Sequence, residues 1–132
     1  MKFPKPLIRI SKKGNGDLEF TLCEEIPFEL PPDGGLWLLP RKLRVPVGYV
    51  SDGASVPRIF WPILSPKIDP VTIAPSIIHD YLYDYAWKYG LDRLDCDIWY
   101  YNALSANGYP FWKNVLTFIG IRLFGVFHWE AA

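Results

Sequence analysis

The residues most able to do chemistry in this chain are His79 and Asp80, which stand side by side in the otherwise apolar stretch 77–83. Burying a titratable pair costs free energy unless hydrogen-bonding or charged partners compensate for the lost water. The sequence therefore predicts partners for this pair. Two polar stretches supply candidates, residues 51–57 before the pair and residues 93–97 after it.

Asp97 is one expected partner of His79. One face of a predicted helix carries, at the helical period, Leu94, Asp97, Tyr101 and Leu104. A carboxylate on such an apolar face must be paired or hydrogen-bonded. Arg93, one turn earlier, could pair with it. His79 could do so if its own helix packs antiparallel to this one around Gly90.

Two interpretations of a contact between His79 and Asp97 stay open. In the catalytic one, Asp97 fixes the imidazole tautomer and raises its basicity, so that His79 is a general base near neutral pH. Asp80, about 100° round the helix, would then hold a hard cation or orient a backbone loop. In the structural one, His79, Asp97 and Arg93 form a satisfied buried network that locks two helices together.

The stretch 51–57 is small, polar and contains glycine, so its backbone can approach a ligand closely. Asp52 is a candidate binding residue and, with Asp80, a candidate metal ligand. An Asx-turn is the alternative role for Asp52, and a cap on the turn that follows is the favoured role for Ser55. The candidate binding residues are Asp52, Ser55, Tyr83 and Arg93.

The positioning elements are predicted from apolar periodicity and from the turn residues between the apolar runs. Residues 1–50 alternate apolar and polar positions and read as a small, mostly antiparallel sheet, with strands at 7–10, 18–22, 28–30, 36–39 and 43–47. Residues 56–129 carry the motifs and are mainly helical, with long helices at 70–88, 92–107 and 111–127. The first of these begins at Pro70, with Asp69 as its cap.

These elements predict one α+β domain over residues 1–132, in which a small N-terminal antiparallel β-sheet precedes three α-helices packed together. The 14 basic and 14 acidic residues give zero net charge, which argues against nucleic-acid binding. We expect no signal peptide and no transmembrane span. Cys23 and Cys96 are expected to be free, buried thiols.

A series of linked motifs runs through residues 49–129. In order they are Tyr49-x-x-Asp52-Gly53-Ala54-Ser55-Val56-Pro57, Trp61, His79-Asp80-Tyr81-Leu82-Tyr83, Arg93-x-x-Cys96-Asp97, Gly108 and Ile121-Arg122-Leu123-Phe124-Gly125. The series resembles a small family of uncharacterised phage and prophage proteins, the domain of unknown function 1353. That resemblance implies a phage or prophage origin and carries no established activity.

A shorter pattern, His79-Asp80-x-x-Tyr83 followed by Cys96-Asp97, resembles the paired helices of secreted and bacterial phospholipases A2. The resemblance implies that His79 is the base that activates water and that Asp97 orients it. It implies that Asp80 binds calcium, with the Asp52 loop in place of the family's calcium loop. The cysteine framework and the recognisable Gly-rich calcium loop of that family are absent from this sequence.

Three functions are compatible with these patterns: a hydrolase, a virion component, and anti-defence or regulatory binding. The leading hypothesis is a phage-encoded hydrolase with a site of His79, Asp80 and Asp97, acting on an ester or amide of the host envelope, with calcium or another divalent metal as its cofactor. The alternative is a non-catalytic virion component, such as a tail-tip or baseplate piece, that docks on other phage proteins through its aromatic surface and C-terminal segment. Zero net charge and 17% aromatic residues favour this alternative. The expected location is the virion or the host cytoplasm.

Overall fold

The fold joins small β-sheets near the N-terminus to three helices. The computed structural model describes residues 3–12, 14, 18–30, 41–51 and 71–131. In the described part of the chain the elements are β1 (Ile8–Lys12), β2 (Leu18–Leu22), β3 (Ile26–Leu30), β4 (Arg41–Val45), β5 (Val50–Ser51), α1 (Ile73–Tyr89), α2 (Arg93–Ala106) and α3 (Phe111–Ala131). This order confirms the predicted α+β class.

The described strands form two antiparallel sheets, whereas the sequence predicts one. One sheet has the order β1-β2-β5, and β3 pairs with β4 in the other. Alternation in β3 turns Ile26, Phe28 and Leu30 into the core. The short β5 was not predicted because two residues carry no periodic signal. The strand predicted at 36–39 lies outside the described residues.

The helix ends follow from local chemistry, with one correction. The start predicted for α1 at Pro70 is wrong, because α1 begins at Ile73 and residues 71–72 form a turn. Pro75 fits the first turn of α1, where a backbone N–H has no helical partner to lose. Gly90 ends α1 at a φ of 69°, and Asp92 opens α2 through a reciprocal capping box with Asp95.

The helices pack in sequence order, α1 on α2 and α2 on α3. Ser76 contacts Tyr100, whereas the later Tyr83 contacts the earlier Asp97, so α1 and α2 run antiparallel. The predicted apolar face of α2 is partly wrong, because Leu94 is 43% exposed. Since α2 touches helices on two sides, its buried face is displaced from the predicted one. That face consists of Cys96, Asp97, Tyr100, Ala103 and Leu104.

The two cysteines differ in their exposure to solvent. Cys96 is buried, and burial raises the pKa of its thiol to about 12. Cys23 is exposed, so its predicted burial is wrong.

Among the described residues, no helix combines the length and the apolar character that crossing a membrane requires. In α3, several large apolar side chains lie on the side of the helix that faces away from the rest of the protein.

Candidate functional site

The site is centred on Asp97, a fully buried residue of α2 that receives donors from all three helices. Its Oδ1 lies 2.8 Å from Nε2 of His79 and accepts a hydrogen bond from the Tyr83 hydroxyl at 2.5 Å, both from α1. Its Oδ2 accepts from Nη1 of Arg122 in α3 at 2.7 Å. Nη1 of Arg93 lies 3.7 Å from the same oxygen. The predicted partnership of His79 with Asp97 is therefore present, and Arg93 and Tyr83 join it.

The protonation state of Asp97 follows from these donors. Burial by itself would raise its pKa, but hydrogen bonds from His79, Tyr83 and Arg122 outweigh burial and hold the pKa below its ordinary value. Asp97 is thus a carboxylate that can only accept. Burial and the bond to Asp97 raise the pKa of Tyr83, which keeps its phenol neutral and able to donate.

The tautomer of His79 follows in turn. Because ionised Asp97 can only accept, Nε2 of the neutral imidazole carries the hydrogen and Nδ1 carries the lone pair. No described residue hydrogen-bonds Nδ1. His79 as a whole is buried, with 5% of its surface exposed.

Two aromatic rings hold the imidazole in place. The ring of Tyr100 stacks on His79 with centroids 4.6 Å apart, and the tilted ring of Tyr83 lies 4.3 Å away. The hydroxyls of Tyr100 and Ser76 are 2.7 Å apart, which ties the stacking ring back to α1. Burial raises the pKa of Tyr100, so this ring stays uncharged. The imidazole therefore has a fixed plane as well as a fixed tautomer.

Asp80 does not take part in the contacts around Asp97. It is buried, and its Oδ2 accepts a hydrogen bond of 2.9 Å from Ser51 in β5. One turn later, Asp84 accepts one of 2.6 Å from the hydroxyl of Tyr49. The two carboxylates thus attach α1 to the β1-β2-β5 sheet.

Of the two predicted metal ligands, Asp52 and Asp80, only Asp80 lies in the described part of the chain. Asp52 and Ser55, the other candidate residues of that site and its loop, lie outside the described residues. Within the described residues no group of three or more His, Cys, Asp or Glu side chains could hold a metal ion. Asp80 is also committed to Ser51. The described residues therefore do not fit a calcium site.

Sequence reasoning missed several residues that complete the site, chiefly Arg122, Tyr100, Ser76 and Gly125. Arg122 had a visible signal, because it interrupts the most apolar stretch of the chain. Gly125 has a spatial role: a Cβ there would lie 2.8 Å from the Tyr83 hydroxyl and 3.2 Å from Nη1 of Arg93. Arg93 also donates to the α3 carbonyls of residues 121 and 122, so α3 approaches the site closely.

Comparison with known proteins defines the family. The family model described as "Protein of unknown function (DUF1353)" matches residues 38–121, more than half of the chain. The chain belongs to this family, as its motifs indicate. It is also similar to "Uncharacterized protein y4jT" of Sinorhizobium fredii (strain NBRC 101917 / NGR234), with 29% identity over 106 residues.

The match to that relative covers 80% of this chain and 29% of the relative, so the chain spans less than a third of its length. No solved structure matches the chain significantly. The similarity to phospholipases A2 that the His-Asp pattern suggests is not shown by these comparisons.

Proposed function

We propose that the chain is a phage or prophage protein that hydrolyses an ester or amide of the host cell envelope, with His79 as general base. One observation carries the proposal. Nε2 of His79 is held by an ionised carboxylate, whereas Nδ1, which bears the lone pair of the neutral imidazole, has no hydrogen-bond partner among the described residues. A purely structural histidine would be expected to use both of its ring nitrogens in hydrogen bonds. The phage context comes from the family resemblance.

The chemistry requires one proton acceptor beside a water molecule. Nδ1 of His79 removes a proton from water as the water oxygen bonds to the carbonyl carbon of the substrate. The tetrahedral intermediate then expels the alcohol or amine, which takes that proton from the imidazole. Asp97 holds the ring and stabilises the imidazolium while remaining a carboxylate, because two arginines lie beside it.

The test is hydrolysis by His79→Gln, which removes the base and retains a side-chain donor toward Asp97. The substrates are p-nitrophenyl butyrate, phosphatidylglycerol vesicles and purified peptidoglycan. We expect activity on at least one substrate and a decrease of roughly 10²–10⁴-fold in the variant, the usual contribution of a general base. Tyr49→Phe is the matched control, because it removes a partly buried hydrogen bond to α1 on the side away from His79. Equal rates in His79→Gln and wild type would contradict the proposal.

A second candidate function, a virion component without catalysis, is favoured by a specific observation. Several large apolar side chains of α3 face outward, as expected of a docking element. Here His79 and Asp97 would only join the helices. Phage carrying His79→Gln separates the two functions: normal particles with lost hydrolysis favour the hydrolase. Missing particles with a folded variant protein favour assembly.

A further inference from the structure

The outer face of α3 reverses the usual distribution of polarity on a surface helix. The residues it turns inward include Asn114, Thr117 and Gly125. Its exposed residues between 111 and 124 are all large and apolar: Phe111, Trp112, Leu116, Ile119, Leu123 and Phe124, which are 41–75% exposed. A surface helix ordinarily places its charged residues outward. This arrangement indicates a face that is covered when the protein functions.

We propose that the outer face of α3 pairs with the same face of a second copy of this chain. Four of its residues, Trp112, Leu116, Ile119 and Leu123, follow each other at spacings of four, three and four. This is the spacing of the a and d positions through which two helices pack as a coiled coil. A stripe with that spacing fits another helix side by side.

The area and the charge of the stripe suit weak pairing with a second copy. The four stripe residues offer on the order of 400 Å², so two copies would bury about 800 Å², the size of a weak, reversible interface. A two-fold interface brings each residue type against its own kind or its near neighbours. The stripe residues themselves are uncharged, and the cation beside them, Lys113, lies 5.6 Å from the centre of the Trp112 ring at one end of the stripe.

A lipid surface fits the same face less well. Helices that lie on membranes combine an apolar face with Lys and Arg directed at the headgroups. The opposite face of α3 is covered by the rest of the protein. Of the two cations beside the apolar face, Arg122 is bound to Asp97 and Lys113 lies over the ring of Trp112. Pairing would also cover Arg122, whose side chain is 33% exposed. The proposed interface would therefore shield the ion pair between Arg122 and Asp97 from solvent. The dimer proposal does not depend on the proposed hydrolysis.

The test is the molar mass of the full chain in solution, measured by light scattering and sedimentation over a range of micromolar concentrations. We expect wild type to reach twice the single-chain mass and the double variant Leu116→Glu/Leu123→Glu to stay at the single-chain mass. Trp87→Glu is the matched control, because Trp87 is 77% exposed on α1 and lies off this face. It should retain the dimer.

Charge complementation gives a second measurement. Leu116→Lys/Leu123→Lys should also be a single chain, and its equimolar mixture with the double glutamate variant should recover the doubled mass. If circular dichroism shows that a double variant is unfolded, Leu123→Lys alone replaces it. A wild-type single chain at every concentration overturns the proposal, and its flotation with phosphatidylglycerol–phosphatidylethanolamine vesicles would assign the face to lipid. A dimer that persists in the glutamate variant overturns it equally.

Discussion

The two sides of α1 use the same kinds of residue in different ways. Toward α2 and α3, His79 and Tyr83 converge on one fully buried carboxylate, Asp97, with two arginines on its other oxygen. Toward the β1-β2-β5 sheet, Asp80 and Asp84 each accept a separate hydrogen bond, from Ser51 and Tyr49.

The difference explains why the side of α1 that faces α2 and α3 is the candidate functional site, whereas the side that faces the sheet is not. On the sheet side, the bonds from Ser51 to Asp80 and from Tyr49 to Asp84 use two different carboxylates, which is sufficient to attach a strand to a helix. On the helical side, several donors depend on a single acceptor, so its ionisation controls the orientation of His79. Because several donors share Asp97, substitutions on the helical side should change stability more than substitutions on the sheet side. Three experiments test that contrast.

The largest effect is expected from Asp97→Asn. The neutral amide would leave Arg93 and Arg122 without their carboxylate and force the donor from His79 or Tyr83 to rearrange, a loss of about 3 kcal/mol in the free energy of unfolding. Asp84→Asn is the control on the sheet side and should lose about 1 kcal/mol, because Asp84 is only partly buried. Urea unfolding measures both, and equal losses would remove the contrast between the two sides.

A smaller loss of stability is expected from a substitution in α3 at the point where this helix lies closest to the Tyr83 hydroxyl. Gly125→Ala places a methyl group 2.8 Å from the Tyr83 hydroxyl, and the overpacking, partly offset by better helix propensity, should lower stability by about 1 kcal/mol. Gly120→Ala in the same helix meets nothing within 4 Å and should raise stability by up to about 1 kcal/mol. Thermal unfolding of both variants decides the matter. A stabilising Gly125→Ala would mean that α3 does not approach the Asp97 cluster so closely.

The smallest effect is expected in the pH dependence, because burial opposes the donors that lower the pKa of Asp97. A lowered folded-state pKa gives a stabilising contribution that is complete above the unfolded value of about 3.9. This contribution is lost as the pH falls through the lower folded-state pKa. Unfolding from about pH 6 to pH 2 should therefore show an acid-side decrease in stability that is larger for wild type than for Asp97→Asn. Parallel curves for the two proteins would contradict this assignment.

Much of the arrangement could be predicted where local signals are strong. The three helices, the turn at Gly90 and the contact between His79 and Asp97 all follow from periodicity and turn chemistry. The division of the strands into two sheets could not be predicted, because pairing depends on contacts between distant residues. Arg122 shows the same limit: its charge stood out in the sequence, but its partner lies 25 residues away on another helix.

The sequence by itself indicated the α+β class, the family and the pairing of His79 with Asp97. The pairing could be predicted because residue spacing along two adjacent antiparallel helices limits which side chains can meet. Tertiary structure alone decided that Asp80 binds Ser51 and that Arg122 completes the Asp97 cluster. It also decided that the large apolar residues of α3 face outward. Helical period states which residues share a face, but only packing against the other elements determines which face is covered.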